Sequence, residues 1–320
     1  MKKQKKQKYR IRNWHEYNAA LEARGSLTLW IDEAALQGWQ CWDKSGRRGA
    51  SQTYTDSAVL CALTLQAVYR LPLRATVGLL SSLFSLMQLS LPIPDSSTLC
   101  RRRKRLAVEL LASLPKGRLH LVVDASGFKV YGEGEWKVRQ HGWSKRRTWR
   151  KLHLGVDEKS HEIVAAVAST NDFRDDELLG NLLEQVPPEI ELEQVSGDGI
   201  YDSGQCYALL QERKARASIP PCRRAKLSDL SKKPHLAQRN ANIERIARLS
   251  RNGKDGRKKW KQEAGYHRRS LAETAFFRLK TLFGDHLSAR CFAAQARELL
   301  MRCAALNRMT QLGMPQSYPI

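Results

Sequence analysis

The sequence predicts an α/β protein in which a mixed sheet carries flanking helices and is preceded by a helical N-terminal region. Up to about residue 115, apolar residues recur at helical spacing; beyond it, short apolar runs typical of buried strands alternate with helical patterns. The length of 320 residues and the hydrophobic content of 42% suit one large domain or two ordinary ones. We therefore expect a helical region over 1–115 and a sheet domain over 116–320.

Three helices are expected in the N-terminal region. The first begins at the turn-forming Thr55 and Asp56, the second covers about 73–89, and the third is capped by Asp95 or Ser96. The order helix, turn, basic helix resembles a loose helix-turn-helix, which favours contact with DNA over an ordinary solvated helix face. Five consecutive residues cover all sides of a helix, so they cannot all face one groove, and some must go to phosphates or to solvent. The basic run consists of Arg101, Arg102, Arg103, Lys104 and Arg105.

The second region predicts strands and helices in alternation. LHLVV forms a buried strand that ends at Asp124, and a later strand ends at Asp198, between two glycines. A basic, weakly patterned insert covers about 222–265. The remaining predicted elements are a hairpin in TWRKLHLGVDEKSHEIVAAVAST, helices in DDELLGNLLEQV and SGQCYALLQERK, a short strand in ARASIPP and a last helix in LSARCFAAQARELLMRCAALNRM.

The net charge of +23 predicts a polyanionic partner. Nucleic acid is the expected one, because lysine and arginine bind phosphates with release of counterions. A membrane surface is not expected, since the sequence has no long amphipathic basic helix, no apolar run of about 18 residues and no secretory leader, and we expect a cytoplasmic protein. Residues 1–12 hold seven Lys or Arg and no acid, which predicts a mobile arm that contacts phosphates or serves solubility. The seven cysteines include no CxxC pair, so we expect reduced thiols and no zinc.

Two aspartates follow the two predicted buried strands. Sites in open α/β sheets form at strand ends, so Asp124 and Asp198 are expected to meet there. Oxygen ligands alone suit Mg²⁺ or Mn²⁺. Strand-end aspartates often only cap turns, and these two positions by themselves leave both interpretations open.

The stretch YHRRSLAETAFFRLK supports two interpretations of its glutamate. Ser270 and Glu273 have the spacing of a capping box, in which the glutamate bonds back to the helix start. On one continuous helix, however, Tyr266, Arg269, Glu273 and Lys280 fall within about 60° of one another. That arc could border a cleft, or it could be a solvated salt-bridge face.

The same four residues carry a resemblance to a known family. Tyr266-(2)-Arg269-(3)-Glu273-(6)-Lys280 matches the signature of bacterial insertion-sequence transposases of the DDE type, and the chain looks similar to insertion sequence family five. The family's first-acid block reads closer to Asp-Ser/Thr-Thr-Gly, where this chain has DASG from Asp124. Further matching blocks are NWHEYNAALEARGSLTLWID, YTDSAV, IPDSSTLCRRRKRL, GEGEWKVRQHGWSKRRTWRKLHLGVDE, GDGIYDS and GYHRRSLAET.

The resemblance implies a ribonuclease-H-like catalytic domain with Asp124, Asp198 and Glu273 as the triad that binds two Mg²⁺ or Mn²⁺ ions. It implies a DNA-cleaving and DNA-joining enzyme that acts on terminal inverted repeats and target DNA, as a homodimer in the synaptic complex and at the bacterial nucleoid. The residues expected to contact DNA near the cut are Tyr266, Arg269 and Lys280, and those expected to line the DNA channel are Lys145, Arg146, Arg147, Arg150 and Lys151.

Other residues are predicted to have structural roles. Asp202 is expected to cap the next helix rather than bind metal, and Trp260 to be packed rather than to stack on a base. Glu133 and Glu135, in a glycine-rich loop, compete weakly as acids. The histidines are expected to be ordinary because they have no partners at metal spacing: His141, His153 and His267. Two rival functions remain open, a nucleic-acid-binding protein without catalysis and a nuclease that cuts without joining.

Overall fold

The structure is a computed structural model that describes residues 8–31, 33–42, 52–111, 117–130, 149–250 and 255–320. The chain divides into two units, one formed by Met1–Ala107 with Ala305–Ile320 and the other by Val108–Ala304. No helix in the described residues is long and apolar enough to cross a membrane.

The first unit consists of helices and a small sheet. Its two strands, β1 (Tyr9–Ile11) and the C-terminal β8 (Ser317–Pro319), pair antiparallel. The predicted mobile arm is therefore wrong for 9–11, because their backbone groups are bonded to the last strand; residues 1–7 lie outside the described chain. The helices are α1 (Trp14–Ala23), α2 (Leu27–Trp30), α3 (Glu33–Gln37), α4 (Asp56–Val68), α5 (Leu73–Leu86) and α6 (Ser96–Arg103).

The predicted helix starts of this unit are confirmed by their caps. The Thr55 hydroxyl accepts from the Ala58 N–H at 3.2 Å at the start of α4. Asp95 caps α6, since one carboxylate oxygen accepts from the N–H groups of Ser97 at 2.7 Å and Thr98 at 2.8 Å. These bonds hold the pKa of Asp95 well below its usual value. Helix α6 ends at Arg103, so the last two residues of the basic run lie beyond it.

The second unit is built on a mixed sheet with strand order β4-β3-β2-β5-β6. Strand β3 pairs antiparallel with both β2 and β4, whereas β2 pairs parallel with β5, β5 pairs parallel with β6, and β7 pairs parallel with the far end of β2. The predicted mixed sheet is thus confirmed. The strands are β2 (Leu119–Val130), β3 (Trp149–Asp157), β4 (Ile163–Ser169), β5 (Leu192–Ser196), β6 (Arg216–Ser218) and β7 (His286–Leu287).

Helices flank this sheet. One sheet face packs against α7 and α8 in a core that includes Leu121, Val123, Leu182 and Leu210. Helix α11 contacts β2 and β3. The helices are α7 (Leu179–Glu184), α8 (Gly204–Glu212), α9 (Ala237–Leu249), α10 (Gly256–Glu263), α11 (Ser270–Phe283) and α12 (Phe292–Leu312), and 3₁₀ turns cover Asp176–Leu178, Gly199–Tyr201, Pro234–Leu236 and Tyr266–Arg269.

Two predicted elements of this unit need correction. Strand β2 does not end at Asp124 but continues to Val130, because its antiparallel pairing with β3 extends to Lys129 opposite Trp149. The basic insert is not unpatterned, since it forms α9 and α10. Asp255 caps α10 by accepting from the Lys258 N–H at 3.2 Å.

Candidate active site

The sheet brings the two predicted aspartates into register. Parallel pairing of β2 with β5 ends at Val122 opposite Ser196. Asp124 and Asp198 each lie two residues beyond that pair, Asp124 within β2 and Asp198 just after the end of β5. Asp124 thus sits where the parallel part of the sheet stops while β2 continues along β3. Strand register thus carries both acids to the same end of the parallel strands, and the charge of Asp198 acts on Asp124.

Helix α11 carries the third acid across β2. Two contacts fix the helix on the strand: the Lys280 ammonium donates to the Ser126 hydroxyl at 2.7 Å, and Arg269 donates to the Asp124 carboxylate at 3.4 Å. Glu273 lies on the helix between these two basic residues, in its first turn. The helix therefore holds Glu273 over the strand that carries Asp124.

Arg269 connects two of the three acids. Its Nη1 reaches Oδ2 of Asp124 at 3.4 Å, and its Nη2 is hydrogen-bonded to Oε1 of Glu273. The Glu273 side chain is 52% exposed, whereas those of Arg269 and Asp124 are 22% and 18% exposed. One guanidinium thus neutralises charge at both carboxylates in this arrangement.

The charges of the site act on the Asp124 carboxyl. Burial raises the pKa of Asp124 above its ordinary value, and the nearby Asp198 and Glu273 raise it further. The Ala125 N–H, which donates to Asp124 at 3.0 Å, and the Arg269 guanidinium act against this rise. Three acids are therefore close enough to repel one another, which a bound cation would relieve.

The side chains of the site have the type of ligand atom that a hard divalent cation prefers. Asp124, Asp198 and Glu273 offer only carboxylate oxygens, the ligands that Mg²⁺ and Mn²⁺ prefer. In the described chain, however, no three acidic, histidine or cysteine side chains stand at metal-ligand spacing. The Glu273 carboxylate is hydrogen-bonded to Arg269. A cation at Glu273 would therefore compete with this guanidinium.

Tyr266 borders the site from the turn before α11. Gly265, at φ +64°, takes the left-handed conformation that lets the chain enter this turn. The half-buried tyrosine ring lies 4.7 Å from the Lys261 ammonium and 5.9 Å from the Arg269 guanidinium carbon. Burial raises the pKa of its hydroxyl, to which the three acids add, so the phenol stays protonated.

A second tyrosine, missed from sequence, lies behind the aspartates. The Tyr201 side chain is 1% exposed, and its hydroxyl has no hydrogen-bond partner among the described residues. Gly197 makes room for it, because a Cβ there would stand 2.9 Å from the ring. Burial raises the pKa of Tyr201 well above its usual value, and Asp175, Asp124 and Asp198 contribute. A neutral O–H donor therefore stands among these carboxylates. The motif GDGIYDS held the signal, an aromatic three residues after the acid.

The basic residues predicted to line a DNA channel have partners within the unit. The Lys151 ammonium donates to Asp175 at 3.0 Å, and Arg150 Nε donates to the side-chain Oε1 of Gln295 at 2.7 Å. His153, predicted to be ordinary, is fully buried on the same strand. Lys145, Arg146, Arg147, Glu133, Glu135 and His141 lie outside the described residues.

The capping box is wrong. A 3₁₀ turn runs directly into α11, so Ser270 already has helical backbone angles and cannot act as its N-cap. Its hydroxyl donates to the His267 carbonyl at 2.9 Å instead. Glu273 pairs with Arg269 and not with the helix start. The two predicted roles of Glu273 therefore do not compete for one carboxylate.

Asp202 does not cap a helix either. Its carboxylate accepts from Arg239 at 2.8 and 3.2 Å and from the Cys222 N–H at 2.8 Å. The cap of α8 is Ser203, whose hydroxyl accepts from the Cys206 N–H at 3.4 Å. Asp202 thus ties the start of α8 to α9 in an ion pair in which its side chain is only 2% exposed.

Trp260 is packed, as predicted. It is 3% exposed and its indole N–H donates to Asn242 at 3.1 Å.

Phe277 was not singled out in the sequence. It is 70% exposed, and helical arithmetic applied four residues beyond Glu273 would have placed it on the polar arc.

The basic run of the first unit is divided by its environment. Arg103 is 3% exposed and bonded to Gln66, so the expected DNA contact does not hold for this residue, whose guanidinium lies in the core. Arg102 is paired with Asp56 and the Tyr54 carbonyl. All residues of the run except Arg103 border an open cleft of about 420 Å³, which is lined by Gln52, Asp56, Arg101, Arg102, Lys104 and Arg105.

Comparison with known protein families gives two matches. Residues 22–133 and residues 115–308 each match a family model described as a transposase DDE domain. The second match covers more than half of the chain and contains Asp124 on β2, Asp198 just after β5 and Glu273 on α11. Domains of this kind are ribonuclease-H-like, in agreement with the mixed sheet, and imply an enzyme that cuts and joins DNA. The chain therefore belongs to the DDE transposases.

Proposed function

We propose that this transposase binds the terminal inverted repeats of an insertion sequence, cleaves the DNA to free a 3′-OH and joins that end to target DNA. Asp124, Asp198 and Glu273 would hold the divalent ions, two Mg²⁺ or Mn²⁺, on which the chemistry depends. The observation that carries the proposal is the arrangement of the three acids: Asp124 and Asp198 lie just beyond the paired parallel segments of β2 and β5, and α11 holds Glu273 over β2.

The carboxylates supply the negative charge that concentrates cations at the reacting phosphodiester. When bound, such ions activate the attacking oxygen and stabilise the leaving oxygen of an in-line displacement. In the first reaction water attacks the phosphodiester at the element end and the 3′ oxygen leaves. In the second, that 3′-OH attacks a phosphodiester of the target, the target's own 3′ oxygen leaves, and the element's 3′ end becomes joined to the target's 5′ phosphate.

Three residues of the helix and its preceding turn would position the DNA. Arg269 and Lys280 flank Glu273 and can bind phosphates, the arginine with two parallel hydrogen bonds. Tyr266 keeps a protonated hydroxyl beside the acids and can donate to the terminal phosphate. Burial lowers the pKa of Lys280, yet the nearby Asp285 acts in the opposite direction.

The first unit would supply binding to the terminal repeats. Arg101, Lys104 and Arg105 are exposed along one cleft, and Arg102 is fixed there by Asp56. Their excess of positive charge suits a phosphate backbone. Lys145, Arg146 and Arg147 remain candidates for the DNA channel on their charge and sequence position alone. Two element ends would need two copies of the chain, hence a homodimer in the synaptic complex on bacterial nucleoid DNA.

One experiment tests this function against its rivals. Purified protein is incubated with Mg²⁺, donor DNA that contains the gene with its flanking sequence, and a plasmid target. Strand-joined product that is lost in Glu273→Gln supports the proposal. The matched control is Glu212→Gln, an exposed acid on α8 that should retain full activity. Cleavage without joining would favour a nuclease, and binding without any product would leave a DNA-binding protein.

A further inference from the structure

Phe277 is an exposed aromatic on the reactive face of α11. The side chain is 70% exposed, while its neighbours Phe276, Leu279 and Ala275 are nearly fully buried. The apolar stripe of the helix is thus complete without Phe277, and packing does not account for it. Single exposed apolar residues are common on protein surfaces, so exposure alone does not indicate a function for Phe277, and its position relative to the site must do so.

The position of Phe277 follows from helix geometry. It lies four residues after Glu273, which is about 40° around the helix axis and about 6 Å along it. Lys280 follows three residues later on the same side. Side chains of a helix lean toward its N-terminus, so the ring leans toward the turn that carries Glu273. The ring therefore lies between Glu273 and Lys280 in height along the helix axis, and about 40° and 60° to one side of them around it.

A second exposed apolar side chain marks the other side of the site. Ile200 is 48% exposed and its N–H donates to the Asp198 carboxylate at 2.9 Å. Glu273 thus has the exposed Phe277 about one helical turn away, and Asp198 has the exposed Ile200 two residues away. Apolar side chains do not bind the phosphates of the DNA backbone, because phosphate oxygens bind cations and hydrogen-bond donors.

We propose that Phe277 stacks on an unpaired nucleobase at the DNA end held in the site, an inference that rests on the proposed function. Aromatic side chains bind single-stranded DNA by stacking on bases, with cations nearby for the backbone. Arg269 and Lys280 supply those cations on the same helix face. A paired base inside a duplex has both faces covered, so the ligand is a frayed terminal nucleotide. Trp260 is buried and cannot take this role.

Stacking is tested without any cleavage. Donor ends carry 2-aminopurine at the terminal position, and its fluorescence is read on protein binding in EDTA. We expect strong quenching by the wild type and by Phe277→Trp, and loss of quenching in Phe277→Ala and Phe277→Leu. The leucine variant keeps apolar volume without a ring. The control is Phe292→Ala, an exposed phenylalanine of the same unit beside Arg150, which should quench as the wild type does.

Cleavage gives the second measurement. With Mg²⁺ and fully paired ends, Phe277→Ala should cleave roughly 10-fold more slowly, within the range of a lost base–aromatic stack. On ends with a mismatched terminal pair, Phe277→Ala should recover most of the lost cleavage rate. This recovery is expected if the ring acts by trapping a terminal base that has already opened. Undiminished quenching in Phe277→Ala, or equal loss in Phe292→Ala, would overturn the inference. Absence of cleavage by the wild type would instead count against the proposed function and leave the quenching result standing.

Discussion

Removal of the Arg269 guanidinium should make the metal site easier to load in the absence of DNA. In the DNA-free protein, Arg269 bonds to both Asp124 and Glu273, so a divalent cation must displace it. Arg269→Gln keeps a polar but shorter side chain and removes the charge. We expect this variant to bind Mn²⁺ more tightly than the wild type, although it should bind DNA less well.

The size of the effect follows from burial. The Glu273 carboxylate is 52% exposed, and an exposed pair at this helical spacing is worth only about 0.3–0.5 kcal/mol. The Asp124 side chain is 18% exposed, and a charge-assisted hydrogen bond there is worth about 1.5–3 kcal/mol. Arg269 regains some water when it is displaced, so we take about 2 kcal/mol in total. Since about 1.4 kcal/mol is tenfold in affinity, Mn²⁺ should bind about 30-fold more tightly.

The assay is a titration of Mn²⁺ followed by the electron paramagnetic resonance signal of the free ion, with no DNA present. The matched control is Arg268→Gln, which removes the same charge from the adjacent residue. Arg268 pairs with Glu158 at 2.5 Å instead of with the site, so its loss should change Mn²⁺ affinity by no more than about threefold. Equal affinities in Arg269→Gln and the wild type, or an equal gain in Arg268→Gln, would show that Arg269 does not hold the carboxylates.

Three further predictions concern stability and binding. Burial lowers the pKa of His153 to about 4, so the unfolded chain binds a proton below about pH 6.5, whereas the folded protein binds it only near pH 4. The free energy of unfolding should therefore fall by about 3 kcal/mol as the pH drops from 6.5 to 4. In urea unfolding measured at several pH values, His153→Gln should show a smaller fall of the free energy of unfolding with pH. Asp202→Asn should lower the free energy of unfolding by about 3–5 kcal/mol because it leaves Arg239 unpaired, whereas a lost helix cap would cost only about 1 kcal/mol. Lys280→Met should leave the fold intact and reduce the salt dependence of DNA binding by about one unit of slope, and an unchanged slope would exclude a phosphate contact.

Features that depend on local signals could be predicted from the sequence. The starts of α4 and α6 follow from Thr55 and Asp95, since a cap and the helix it begins are neighbours in the chain. The sheet strands follow from their apolar runs. Glu273 was singled out by the resemblance of the stretch from Tyr266 to Lys280 to the DDE signature, because helical spacing alone left it open between a helix cap and a metal ligand. Phe277 could have been found by the same periodicity.

Features that depend on tertiary contacts could not be predicted. Arg269 and Asp124 are 145 residues apart in sequence, and their ion pair exists only because α11 crosses β2. The burial of Arg103 is equally invisible, because in the sequence it is one of five consecutive basic residues. The extension of β2 beyond Asp124 depends on pairing with β3, which ASGFKV alone does not indicate.

The site combines a fixed half with an adjustable half. Asp124 and Asp198 are held by strand register, and each accepts a backbone N–H, at 3.0 and 2.9 Å, so neither can move far without disturbing the sheet edge. Glu273 is half-exposed and held through Arg269. A DNA phosphate would compete for that guanidinium and release both carboxylates at once. Binding of DNA and loading of the metal should therefore favour each other, and because such coupling is reciprocal, Mn²⁺ should tighten DNA binding by the same factor by which DNA tightens Mn²⁺ binding. In Arg269→Gln that factor should fall toward one, because the group through which the two ligands compete is gone.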